Sequence, residues 1–257
     1  MSAQEQEKEL VASVEALLLR VVPGLAEQWQ GVTPDAIAHI EQLAGRPLPH
    51  FYRWFLAHMG QGMGALTFPT LDFSARRVIE CYTERLVEPH PRFLLIADDS
   101  DEMMPLPLFY DFDAQTRADA LVTAREARGD EDELYDRFET LHEMLSWGAL
   151  YRFRLSKMPQ TCTGTFRGEP SDIQVFIERV MDSLGFSKPI STGSLCGLYE
   201  RADAVMICKG IPRHEFNDVR SFNLGGASPG VLRKILGELA MVSALEVKVA
   251  EWSPALA

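Results

Sequence analysis

The sequence lacks the features that mark several function classes. Its 257 residues contain no apolar run near the roughly 20 residues that a membrane-spanning helix needs. The amino terminus, MSAQEQEKEL, is acidic and polar where a secretory leader needs a basic start and an apolar centre, so a cytoplasmic location is expected. Only four cysteines occur, Cys81, Cys162, Cys196 and Cys208, widely scattered and without a C-x-x-C pair. Reduced thiols are therefore expected in place of disulfides. His39, His50, His58, His90 and His142 are dispersed, with no Ser or Cys in a nucleophile elbow. Positive charge is scarce too: 25 Lys and Arg stand against 37 Asp and Glu, which makes the chain a poor host for nucleic acid or an anionic membrane.

What is present is an ordinary globular composition, 46% hydrophobic, in a chain longer than most single domains. Two domains are expected. The acidic excess is confined to the first of them. Residues 1–155 hold 14 Lys and Arg against 26 Asp and Glu, residues 156–257 hold 11 of each, and residues 98–143 alone hold 15 acidic and 4 basic. Such a run is either a solubilising face or a surface that attracts a basic partner.

The most organised stretch is Thr33 to Gly64. Thr33 can cap a helix, Pro34 suits its first position, and Asp35 sets a negative charge on the positive end of the dipole. Ile37, Ile40 and Ala44 recur at helical spacing before Gly45 and Pro47 stop the helix. A second helix opens at Pro49, with Phe51 and Phe55 on one face, and ends at Gly60, Gly62 and Gly64. Before this elbow, Leu10, Val14, Leu17, Leu18 and Val21 predict an amphipathic helix over about 4–21. After it, Phe93–Ala97 reads as a strand buried on both faces, with further strands at Leu106–Phe112 and Ala120–Ala124, a charged loop over 125–133, and a helix over 136–151. Ala65–Phe73 and Val78–Tyr82 read as strand or short helix, and for Val78–Tyr82 the two stay open.

Several pieces in this order resemble the SUKH superfamily. They are the capped helix ending in Leu43-Ala44-Gly45, then Leu48-Pro49, an aromatic pair, Phe55-Leu56 and a Gly-rich turn. Arg92–Asp113 is similar to the paired strands of that family, and the chain differs from it in carrying Met59, not Asn, ahead of Gly60-Gln61-Gly62. The resemblance covers roughly residues 5–155. It implies helices packed on a mainly antiparallel sheet and, for many members, an immunity protein that binds and neutralises a toxin passed between bacteria. No family is recognised for the remainder.

In that remainder, 156–171 (SKMPQTCTGTFRGEPS) has little periodicity and reads as a linker. Ser171 is placed to cap a helix in which Ile173, Phe176, Ile177, Val180, Met181 and Leu184 keep helical spacing. Strands are predicted at Phe186–Ile190, Leu195–Glu200, Ala204–Lys209 and Val219–Leu224, then a helix from Ser228-Pro229 through Ala240 and a last strand at Leu245–Val249. The expected fold is α+β throughout: a SUKH-like domain over 1–155 and a smaller α+β domain over 172–257.

Motifs for chemistry are weak. Asp111-Phe112-Asp113-Ala114-Gln115-Thr116 after an apolar run matches the D-x-D-x-[TV] pattern and so resembles haloacid dehalogenase-type phosphatases, in which the first Asp is the nucleophile and magnesium offsets the charge. Lys209 could be nominated as that site's lysine, but no later acidic pair completes it. Asp98, Asp99, Asp101 and Glu102 lack calcium-loop spacing. Cys196, Cys208 and His214 lack a fourth zinc ligand. Gly60, Gly62 and Gly64 follow a helix, the reverse of a phosphate loop, and Gly225-Gly226 before Ser228 reads as a turn and cap. The expectation is thus a non-enzymatic protein without metal or cofactor. Its partner is a cognate protein toxin with a basic surface, and its contact residues are Asp98, Asp99, Asp101, Glu102, Tyr110, Asp111 and Asp113. If the toxin is a nuclease, these carboxylates stand in for phosphates. A regulatory or scaffold module is the second reading, and a phosphatase using Asp111 and Asp113 a distant third.

Overall fold

The computed structural model describes residues 3–116, 119–127, 133–213, 217–242 and 244–255. It divides into two compact units, 1–145 and 146–257. The first begins with α1 (Ala3–Val21), α2 (Leu25–Gln28), β1 (Trp29–Gln30), α3 (Pro34–Ala44), α4 (His50–Met59) and β2 (Gly62–Met63). The proline elbow forms as its caps dictate. Thr33 Oγ1 accepts from the Ala36 N–H at 3.4 Å, and Gly45 takes the left-handed conformation, φ 64°, that a side chain would resist. Gly31 allows β1 to reach α4, because a Cβ there would stand 1.8 Å from the Ala57 carbonyl oxygen.

The chain then runs through β3 (Leu71–Asp72), α5 (Ala75–Thr83), β4 (Phe93–Asp99), β5 (Leu108–Thr116), β6 (Asp119–Ala124) and β7 (Tyr135–Phe138), which pair in that order as an antiparallel sheet. Val78–Tyr82, ambiguous in sequence, is part of α5, whose start is fixed by Ser74 Oγ accepting from the Arg77 N–H. β4 over Phe93–Ala97 and β6 throughout are buried on both faces, so neither shows the in–out alternation of a half-exposed strand. Tyr52 of α4 sets its ring edge-on to Tyr110 of β5 at 5.2 Å, joining helix to sheet. The predicted helix over 136–151 is shorter. Tyr135–Phe138 is a strand, and α6 (Leu141–Phe153) begins only at Leu141, where Thr140 Oγ1 accepts from the Glu143 N–H. The boundary between the units falls within α6. Of the charged loop predicted over 125–133, residues 128–132 lie outside the described residues.

The second unit overturns the linker. After a 3-10 turn at Leu155–Lys157, residues Gln160–Arg167 form β8, which is paired on both sides. Then come α7 (Ile173–Ser183), β9 (Cys196–Arg201), β10 (Ala204–Lys209), β11 (Val219–Gly226), α8 (Pro229–Val242) and β12 (Glu246–Ser253). Strand order is β12-β8-β11-β10-β9, all antiparallel. One face of this sheet, with Cys162, Phe166, Phe222 and Met206, makes a core with α7 and α8. Two predictions are corrected. α7 is preceded by Asp172, not capped by Ser171, whose hydroxyl donates to the Asp172 carboxylate, and Phe186–Ile190 contributes only the bridge Ser187–Glu200.

Candidate functional site

The acidic run predicted as one surface is divided by the sheet that carries it. Asp98 is the next-to-last residue of β4, and its carboxylate takes the Arg77 guanidinium from α5 at 2.7 Å, so its charge is spent locally. Asp99 turns inward to the loop that follows and accepts from the N–H groups of Asp101 at 3.1 Å and Leu106 at 3.0 Å. Burial would push its carboxyl up. The Leu106 and Asp101 N–H groups, the Thr70 side chain and the charge of Arg137 outweigh that and hold it below the usual carboxylate range. Asp101 in turn accepts from the N–H groups of Met103 at 2.9 Å and Met104 at 3.2 Å, while the Ser100 N–H and hydroxyl both donate to the Thr70 carbonyl. Two carboxylates and a serine thus fix the backbone of the β4–β5 loop.

What this loop presents is Met103, 93% exposed, and Met104, 68% exposed, with the exposed Asp101 and Glu102 before them. These are two large apolar side chains held out in water on a braced backbone. Unbranched, polarizable methionine adapts to the pocket it enters.

Two predicted contact residues are corrected. Tyr110 and Asp111 are fully buried in β5 and cannot touch a partner. Asp111 receives Arg92 in a two-pronged bond, Nε to Oδ1 and Nη2 to Oδ2, both at 2.9 Å. Burial, then the charge of Asp119, drives the Tyr110 phenol far above its usual value. Asp113 is exposed, but it lies five residues along β5 from Leu108, about 17 Å from the loop at ~3.4 Å per residue. The structure therefore gathers Asp99, at the end of β4, with Asp101 and Glu102 of the following loop and leaves Asp113 farther along β5.

The phosphatase-like motif has the wrong setting. Its first Asp must stand free at the carboxyl end of a strand in a parallel sheet; Asp111 is within an antiparallel strand with both oxygens on Arg92. Cys196 and Cys208 sit on neighbouring strands with Cys208 opposite Gly197, so their side chains leave opposite faces of the sheet and cannot share a metal; His214 lies outside the described residues. Among the described residues no group of three His, Cys, Asp or Glu side chains converges as metal ligands. Burial raises the thiols of Cys81 to about 11 and of Cys162 and Cys208 to about 12, which suits small buried apolar residues.

The sequence reading missed a buried polar cluster at the start of α6. Asp119 Oδ2 accepts from the Leu141 N–H at 3.3 Å and lies 3.6 Å from His142 Nδ1, while His142 Nε2 is 3.3 Å from Thr140 Oγ1. A Thr, a His and an Asp in line resemble a hydrolytic relay. All three are buried, and the cavity beside Asp119 and His142, about 20 Å³, holds no more than a water. Their office is to anchor the helix, with a carboxylate on its positive end. The signal was legible as Thr140-x-x-Glu143, a capping box.

Compared with known proteins, the chain matches no family model, no curated protein and no solved structure.

Proposed function

We propose that this protein binds and neutralises a protein toxin by stoichiometric occlusion, an immunity protein of the SUKH type, and that the β4–β5 loop is its point of contact. One observation carries this reading: two outward methionines behind two carboxylates, on a backbone that needs no ordering when it binds. Partner pockets that accept Met103 and Met104 would supply the affinity, and a basic rim would meet Asp101 and Glu102. The family resemblance supplies the class of partner, and the acidic excess over 98–143 supplies its sign. Where the toxin is a nuclease, the carboxylates would lie in the groove that otherwise holds phosphates.

The test is co-expression with the product of the adjacent gene. Survival and a co-purifying complex are expected, with the double variant Met103→Ala/Met104→Ala weakening the complex about tenfold or more, mostly through faster dissociation. A complex untouched by that variant would move the contact elsewhere. If no toxin is neutralised and the chain instead retains stable cellular partners, a scaffold role replaces immunity.

A further inference from the structure

We propose that Met103 and Met104 form a reversible oxidation site, at which peroxide changes the tip of the β4–β5 loop from apolar to polar and leaves its frame intact. The thioethers sort by exposure. Met103 and Met104 stand in water, whereas Met59, Met63, Met144, Met181 and Met206 are buried. Attack on a thioether depends on access, so the buried sulfurs are shielded and the loop pair is open. In the step itself a sulfur lone pair attacks one oxygen of hydrogen peroxide. The S–O bond forms, the O–O bond breaks, and the departing hydroxide takes the proton of the attacked oxygen and leaves as water. Sulfur gives up two electrons and the peroxide takes them. A sulfoxide this exposed is also within reach of the thiol-dependent reductases, in which two thiols become a disulfide and the oxygen leaves as water.

Met241, next to the end of α8, is comparably exposed, so exposure alone does not single out the loop. What does is the way the pair is held. Asp101 Oδ1 accepts from the N–H groups of both methionines, Asp99 accepts from those of Asp101 and Leu106, and Ser100 donates twice to the Thr70 carbonyl. Each of these bonds joins a carboxylate, a hydroxyl or an N–H group to the main chain, and none involves a thioether. Oxygen added to a buried methionine disrupts the core around it; here it alters two adjacent side chains that the frame does not use. The tip then carries two sulfoxide acceptors beside Asp101 and Glu102 and is polar throughout. If the loop is the point of contact with a toxin, oxidation removes the apolar anchor and keeps the charge, which switches the contact off. That consequence rests on the proposed function, whereas the oxidation site does not.

Peptide mass mapping of the full chain under graded hydrogen peroxide tests the site without any partner. Met103 and Met104 are expected to gain one oxygen each, about tenfold or more faster than the five buried methionines. Near-ultraviolet dichroism and the urea midpoint should stay unchanged when the pair is fully converted, and the two stereospecific methionine sulfoxide reductases together should remove both oxygens. In a Met241→Leu chain, conversion of the pair should shorten retention on a hydrophobic-interaction column, and adding Met103→Leu/Met104→Leu should abolish that shift. Buried methionines oxidised as fast as the pair, unfolding that accompanies its conversion, or a retention shift that survives the leucine substitutions would overturn the proposal. The complex from the co-expression experiment reads the consequence: the oxidised chain should bind about tenfold or more weakly and recover on reduction. Equal binding by the oxidised chain would refute the switch and leave the toxin reading standing. No complex with the unaltered chain would refute the toxin reading, and the mapping and retention results would still decide the oxidation site.

Discussion

At the scale of single residues, the arginine partners decide which carboxylates are available. Arg92 reaches Asp111 and lies 4.6 Å over the Phe93 ring. Arg92→Ala would strand a buried carboxylate, at a cost of about 3–5 kcal/mol in urea unfolding, whereas replacing both partners with apolar residues of similar volume should cost much less. Asp99 gives a pH signature of known sign. Its carboxyl is held low in the folded chain, so the stability it contributes is complete above the ordinary carboxylate value and is lost as pH falls through the folded one. Thermal unfolding of Asp99→Asn should therefore fall below that of the unaltered chain at neutral pH, and the gap should close below about pH 4. A gap that persists in acid would mean that Asp99 braces the loop by something other than its charge.

At the scale of elements, local signals were legible and distant ones were not. α3 and α4 stand where their caps place them, because Thr33, Pro34 and Gly45 act within one turn. α6 begins at Leu141 because Thr140 caps it and Asp119 holds it. Thr140→Ala is expected to cost about 1 kcal/mol, and Asp119→Ala more, since it also leaves His142 without its carboxylate neighbour; matched urea curves would read both. β8 was hidden by its own composition. Thr161, Thr163 and Thr165 looked like loop residues, yet they alternate with Cys162, Gly164 and Phe166, which face the core, and threonine suits a half-open strand. Gly164 is needed there, as a Cβ would stand 2.2 Å from the Lys248 carbonyl oxygen. Exchanging 160–167 for a Gly-Ser linker of equal length should thus unfold the second unit, seen as loss of near-ultraviolet dichroism from Trp252; a true linker would tolerate it. The division of the acidic run was illegible for another reason. Arg77 and Arg92 precede Asp98 and Asp111 by 21 and 19 residues, separations that no local pattern reveals.

At the scale of the whole molecule, charge is distributed unevenly along the chain, with the entire excess in residues 1–155. Long-range attraction acts mainly on encounter and is screened over about 8–10 Å at ordinary ionic strength. Association with a basic partner should slow by about tenfold or more between low and high salt while dissociation changes little. A salt-independent association rate in stopped flow would remove steering from the account and leave the proposed methionine contact untouched. The β4–β5 loop adds a consequence for how such a protein diversifies. Its shape is held by Asp99, Asp101 and Ser100 through backbone atoms of their neighbours, so the identities of residues 102–104 are free to drift without deforming what supports them. On the proposed reading of this loop, a change of partner requires only that three letters at the tip be rewritten, and the frame that displays them can be inherited unchanged.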